Sequence, residues 1–150
     1  MEKTIPEKQE ELRRIFAAFQ SPDEKWKYLL QLAKDHPKMD PQKKEKKFLV
    51  SGCAAQMYLI PRYEGGKLYF EMDVDAGPDG TLPLISFGLG ALALQIYQGA
   101  SPSEILAADP HFFQEIGLNV GLSPTRANGF ASLLRQIYLY AKVYAAMEKR

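Results

Sequence analysis

Apolar residues recur at helical spacing through the N-terminal part of the chain. Between Glu7 and Gln20, the positions of Leu12, Ile15, Phe16 and Phe19 predict an amphipathic helix. Ser21-Pro22-Asp23-Glu24 then reads as a stop and a restart: an N-cap serine, a proline at the first helical position and a glutamate three residues after the cap. The second helix carries Trp26, Tyr28, Leu29, Leu30 and Leu32 as far as Lys34, and Asp35-His36-Pro37 closes it. Further on the texture changes. Gln56 to Arg62 and Lys67 to Val74 are rich in aromatic and β-branched residues and flank Glu64-Gly65-Gly66, which predicts a β-hairpin. Pro61 puts the first strand at an edge or near its end. Ala76 to Pro83 is a loop of turn residues.

Helical patterning returns at Pro83 and runs to Tyr97, apolar on nearly every side, so this helix is expected to be buried. Gly88 and Gly90 inside it cost helix stability and point to close packing. Ser101-Pro102-Ser103-Glu104 and Ser123-Pro124-Thr125-Arg126 repeat the serine–proline start. Between them, Asp109 to Leu118 reads as a short helix with Phe112, Phe113, Ile116 and Leu118. The last helix is expected from about Pro124 to Met147, with Tyr138, Tyr140 and Tyr144 first of all core residues. Helices, then strands, then helices define an α+β fold. A small antiparallel sheet packs against N- and C-terminal helices, in one domain over residues 1–150.

Composition narrows the function classes. With 19 Lys+Arg against 18 Asp+Glu, net charge gives no sign of a nucleic-acid or anionic-membrane partner. The basic run at residues 40–47 reads as a solvated connector. No stretch has the apolar length of a membrane span, and the charged N-terminal segment lacks the core of a signal peptide, so a cytoplasmic setting is expected. A single cysteine rules out an internal disulfide and, with only two histidines, an ordinary structural zinc site.

That cysteine, Cys53, lies where the apolar run Phe48-Leu49-Val50 gives way to the hairpin. It follows Gly52 and precedes Ala54 and Ala55. Small neighbours suit a tight loop and an accessible sulfur. A lone cysteine is nonetheless more often a small buried hydrophobe than a nucleophile. A cysteine-dependent hydrolase or transferase would need a base, for which His36 and His111 are the sole histidines. A non-catalytic binding module is a further reading, and an iron–sulfur scaffold is disfavoured by one thiol.

Three segments carry a resemblance. VSGCAAQMY (50–58) resembles the cysteine loop of the SufE sulfur-acceptor family, where a Gly-Cys pair precedes a glutamine and an aromatic residue. LNVGLSPTRANG (118–129) is similar to that family's helix start, and YQGASPSEI (97–105) to the segment between them. The resemblance implies a SufE/IscU-like fold. It also implies a persulfide carrier that activates a SufS/CsdA-type cysteine desulfurase and passes sulfur to an iron–sulfur scaffold, rather than a stand-alone enzyme. Pyridoxal phosphate would belong to the desulfurase, with no cofactor or metal on this chain, which would act as a monomer or weak homodimer. By the same resemblance Cys53 is the acceptor, and Arg126 contacts the partner or favours the thiolate, its alternative being a surface pair at a helix start. Gly52 and Gln56 shape the loop. Asp75 falls near the family's aspartate, with Asp73 and Asp79 as alternatives because Ala76 to Pro83 holds extra residues. Ala54 and Ala55 replace polar residues of the family loop.

Overall fold

The computed structural model describes residues 3–149. Its elements in chain order are α1 (Ile5–Ala17), α2 (Pro22–Asp35), β1 (Met57–Glu64), β2 (Lys67–Val74), α3 (Leu84–Tyr97), α4 (Pro102–Ala107), α5 (Phe112–Glu115) and α6 (Pro124–Glu148). The α+β arrangement is the one expected. Capping chemistry sets where helices begin. At α1 the Glu7 amide donates to Thr4 Oγ (3.3 Å) and the Thr4 amide donates to the Glu7 carboxylate (3.0 Å). Ser101 and Glu104 repeat this reciprocal pair at α4, both bonds 3.1 Å. The box at Thr4 starts α1 ahead of the apolar period, at Ile5 rather than Glu7. Its buried stripe is therefore Ile5, Leu12 and Phe16, while Ile15 lies at the surface, 39% exposed.

The last predicted short helix is cut down. Only Phe112–Glu115 is helical, because Gly117 turns to a positive φ of 77° and ends the element after one turn. Phe112, Phe113 and Leu118 still reach the core. The following turn is held by Lys25, whose Nζ donates to the carbonyls of Val120 (2.5 Å) and Gly117 (3.3 Å).

β1 and β2 pair antiparallel from Met57↔Val74 to Glu64↔Lys67. Gly65 and Gly66 both take positive φ (58° and 80°), the requirement of a two-residue type I′ turn. Pro61 sits inside β1 opposite Phe70, tolerated because a two-stranded sheet has free edges. One edge is touched by Leu49, bridged to Tyr58, and the other by Ala100, bridged to Leu68. Tyr140 on α6 donates its hydroxyl to the Leu59 carbonyl (3.2 Å). The tyrosines of α6 are thus partly buried, not fully: Tyr138 and Tyr140 rest on the core while Tyr144 stacks on Tyr63.

α3 runs through the centre and packs on α1, α2, β2 and α6. From Phe87 to Leu94 every residue is buried. Its glycines allow the approach. A Cβ on Gly88 would stand 2.2 Å from the Leu29 carbonyl oxygen of α2, and one on Gly90 would stand 2.5 Å from Met72 Sδ of β2. The two contacts differ in kind, since backbone cannot retreat and a methionine tip can. Gly88→Ala should therefore destabilise by about 3 kcal/mol or more, and Gly90→Ala by about 1 kcal/mol, in denaturant melts.

Candidate functional site: a cysteine loop on the α6 start

Residues 51–56 leave the sheet edge and return to it. The Val50 amide donates to the Met57 carbonyl (2.8 Å), closing the loop at its base, and the Asp75 amide donates to the Gln56 carbonyl (2.9 Å). Within the loop Gly52 holds φ +86°, and a Cβ there would lie 2.8 Å from Ser132 Oγ on α6. That double requirement excludes any other residue at little cost. Cys53 follows, half-buried. Its sulfur lies against Gly129 of α6, 3.1 Å from where a Cβ would be.

The thiol lines a cavity of about 450 Å³. Met57, Leu89, Phe130 and Leu133 form its apolar wall, while Ser86, Ser123, Thr125 and Arg126 add polar groups. Four of these residues, Ser123 to Phe130, belong to the cap and first turns of α6. Burial pushes the Cys53 thiol up, and the backbone amide of Ala55 opposes this more weakly.

Arg126 lines the cavity from an exposed position, and among the described residues it forms no ion pair. The cap explains its freedom. Ser123 Oγ accepts from the Arg126 amide (3.2 Å), as in a capping box. At α1, α2 and α4 the third residue after the cap is a glutamate that bonds back to the cap. Arginine cannot accept such a bond, and its charge is unfavourable at the positive end of a helix. The alternative of a surface ion pair at Arg126 is not seen among the described residues.

The remaining sequence candidates separate. Gln56 shapes the loop through its carbonyl, and it lines a neighbouring cavity of about 470 Å³ together with Ala54, Ala55, Asp75 and Thr81. Asp75 is thus the aspartate beside the loop. Its carboxylate accepts from Lys44 Nζ (2.7 Å) and Tyr58 hydroxyl (3.2 Å), and the Asp75 carboxylate in turn holds the Lys44 pKa above its ordinary range. Asp73 is buried and structural, accepting from the amides of Met39 (3.0 Å) and Val74 (2.8 Å). Asp79 closes a surface turn by accepting from the Thr81 amide (3.0 Å).

The basic run is solvated as expected except at Lys44. Its side chain is 22% exposed and ties the connector to the strand end, while Lys43 pairs with Glu71 (3.1 Å). Neither histidine lines the Cys53 cavity. His36 Nε2 lies 3.1 Å from the Met72 carbonyl, and His111 is exposed. Among the described residues no three His, Cys, Asp or Glu side chains gather in a metal-holding group. Sequence reasoning gave no individual role to Lys44, Tyr58, Ser132 or Gly129. For Gly129 a signal existed, a glycine inside a long helix.

These features define a class: a small α+β protein presenting one cysteine between a hairpin and the start of a long helix. The chain belongs to the SufE family, matching its Fe-S metabolism associated domain over residues 10–141. It is 32% identical to a SufE-like protein of Synechocystis over 89% of this chain and 80% of that one. It is 35% identical to one of Rhizobium etli over 83% and 82%. SufE-like protein 1 of Arabidopsis thaliana, described as chloroplastic/mitochondrial, is 30% identical over 87% of this chain and 34% of its own length. The solution structure of a hypothetical protein from Thermus thermophilus shares the fold, with TM-score 0.74 at 21% identity, covering 93% of this chain and 96% of that one. Membership ties the chain to iron–sulfur metabolism. No helix among the described residues is long and apolar enough to cross a membrane.

Burial of the thiol sets a pH signature. A raised pKa keeps Cys53 protonated at neutral pH, so alkylation by iodoacetamide should keep climbing beyond about pH 8.5, the ordinary cysteine midpoint. A plateau near neutrality would contradict this.

Proposed function

We propose that this protein accepts persulfide sulfur on Cys53 from a cysteine desulfurase of the SufS/CsdA type and carries it towards an iron–sulfur scaffold. One observation supports this most directly: the sole cysteine stands at an apolar cavity with an unpaired arginine among the lining residues. In the transfer, the Cys53 thiolate attacks the outer sulfur of the partner's persulfide. A new S–S bond forms to Cys53, the partner's S–S bond breaks, and its cysteine leaves as a thiolate. No external oxidant or reductant is consumed. Pyridoxal phosphate acts on the desulfurase, and this chain supplies the acceptor sulfur, the shelter and a charge. The apolar wall keeps water and oxidants from the carried sulfur. Arg126, lining the same cavity, supplies a positive charge to favour the anionic forms of Cys53 and its persulfide. The reading includes a cytoplasmic setting, where a lone thiol stays reduced.

A hydrolase reading fares worse because neither histidine lines the cavity of the sulfur, leaving no base for acyl chemistry. A non-catalytic module has no use for the sheltered thiol.

With a desulfurase, pyridoxal phosphate and ³⁵S-cysteine, label should appear on Cys53 as one added sulfur by mass spectrometry. Cys53→Ala should remove both the label and the stimulation of cysteine turnover. An unlabelled Cys53 in the presence of an active desulfurase overturns the proposal.

Arg126→Ala should slow transfer about tenfold, with Arg126→Lys retaining most of the rate. Denaturant stability should stay within about 0.5 kcal/mol of the parent, as for an exposed residue without partners. A loss of stability in step with the loss of transfer would make Arg126 a purely structural residue.

A further inference from the structure

Gly129 is an anomaly within α6. Glycine in a helix interior is costly, and in α3 the same cost is matched by visible contacts, Gly88 with the α2 backbone and Gly90 with Met72 and Leu133. At Gly129, apart from the helix's own backbone and chain neighbours, one atom lies within 4 Å of a built Cβ: the sulfur of Cys53, at 3.1 Å. Carbon and sulfur do not normally pack so closely, since non-bonded carbon pairs already prefer about 3.5–4.0 Å and sulfur is larger. The next turn of α6 makes a similar demand, because Ser132 Oγ lies where a Cβ of Gly52 would intrude. The cysteine loop therefore rests on α6 at two points, each needing a glycine on one side.

We propose that Gly129 is the positioning residue of the acceptor site, the seat that holds the Cys53 sulfur inward at the cavity mouth in the resting protein. The identification of that sulfur as the acceptor rests on the function proposed above, but the seat itself does not. With a side chain at position 129 the sulfur must move, and the half-exposed loop gives way more easily than a helix of 25 residues. Displacement is away from α6, into the open space of about 450 Å³ that the sulfur already lines. Off the seat the thiol loses close cover by α6, part of the burial that keeps it protonated. The glycine thus restrains the cysteine at rest.

Alkylation of the isolated protein by iodoacetamide across pH tests the seat without any desulfurase. Gly129→Ala should react about threefold faster at neutral pH and Gly129→Val about tenfold faster, each with a lowered pH midpoint. Asn128→Ala, exposed on the same turn, should match the parent. Gly129→Ala should melt no lower than the parent, since alanine favours the helix. A parental rate or an unchanged midpoint in variants that melt cooperatively overturns the proposal. If Gly129→Val melts lower, adding Cys53→Ala should restore its melting temperature, because the sulfur is what the new side chain meets. Failure to restore it overturns the proposal as well. Absence of sulfur transfer in the labelling experiment, alongside the expected alkylation pattern, would remove the function and leave the seat.

Discussion

The fold depends on how closely α3 can approach its neighbours. A helix apolar on every side is stable in water only if every side is covered. Here α1, α2, β2 and α6 supply the cover. The tightest contact is backbone on backbone, with Gly88 against the Leu29 carbonyl. Gly90 then lets Met72 of the hairpin and Leu133 of α6 meet over the same helix. The hairpin and α6 are both positioned from α3, so the gap between them, where Cys53 lies, is set by that packing.

The site balances two opposed requirements. On the proposed function the carried sulfur needs shelter, which here means an apolar wall and a half-buried thiol. Attack needs a thiolate, and the same burial disfavours it. The Ala55 backbone amide opposes this weakly, and the role proposed for Arg126 at the α6 start is to add to it. Ser123 caps the helix, yet Arg126 replaces the glutamate that closes the box in α1, α2 and α4. A local capping rule is broken at the point where the cavity meets solvent, as is common where function takes precedence over helix stability.

Much of the fold was legible because its signals are local. Serine–proline starts, a Gly-Gly turn and two periodicities identified the helices and the hairpin. The errors arose where tertiary context prevailed. Ile15 keeps the helical period but has no partner element to cover it, and Gly117 ends a helix that the phenylalanines suggested would continue. At the site, the family segments pointed to Cys53 and Arg126, which are far apart in sequence and line one cavity. Which of Asp73, Asp75 and Asp79 lies beside the loop depends on the strand register and the Lys44 contact, which no local pattern encodes. Gly129 stood within a matched segment, yet its role depends on a sulfur brought to it only by folding.

The closure of the cysteine loop at its base has a consequence for reach. Cys53 lies three residues beyond Val50, whose amide is tied to Met57. A fully extended chain covers about 3.3–3.6 Å per residue, so the sulfur can travel on the order of 10 Å from its anchor. This is a short tether, unlike the long arms on which some carriers swing their cargo between distant centres. On the proposed function, the donor and acceptor sulfurs must come to this surface to within the reach of that tether.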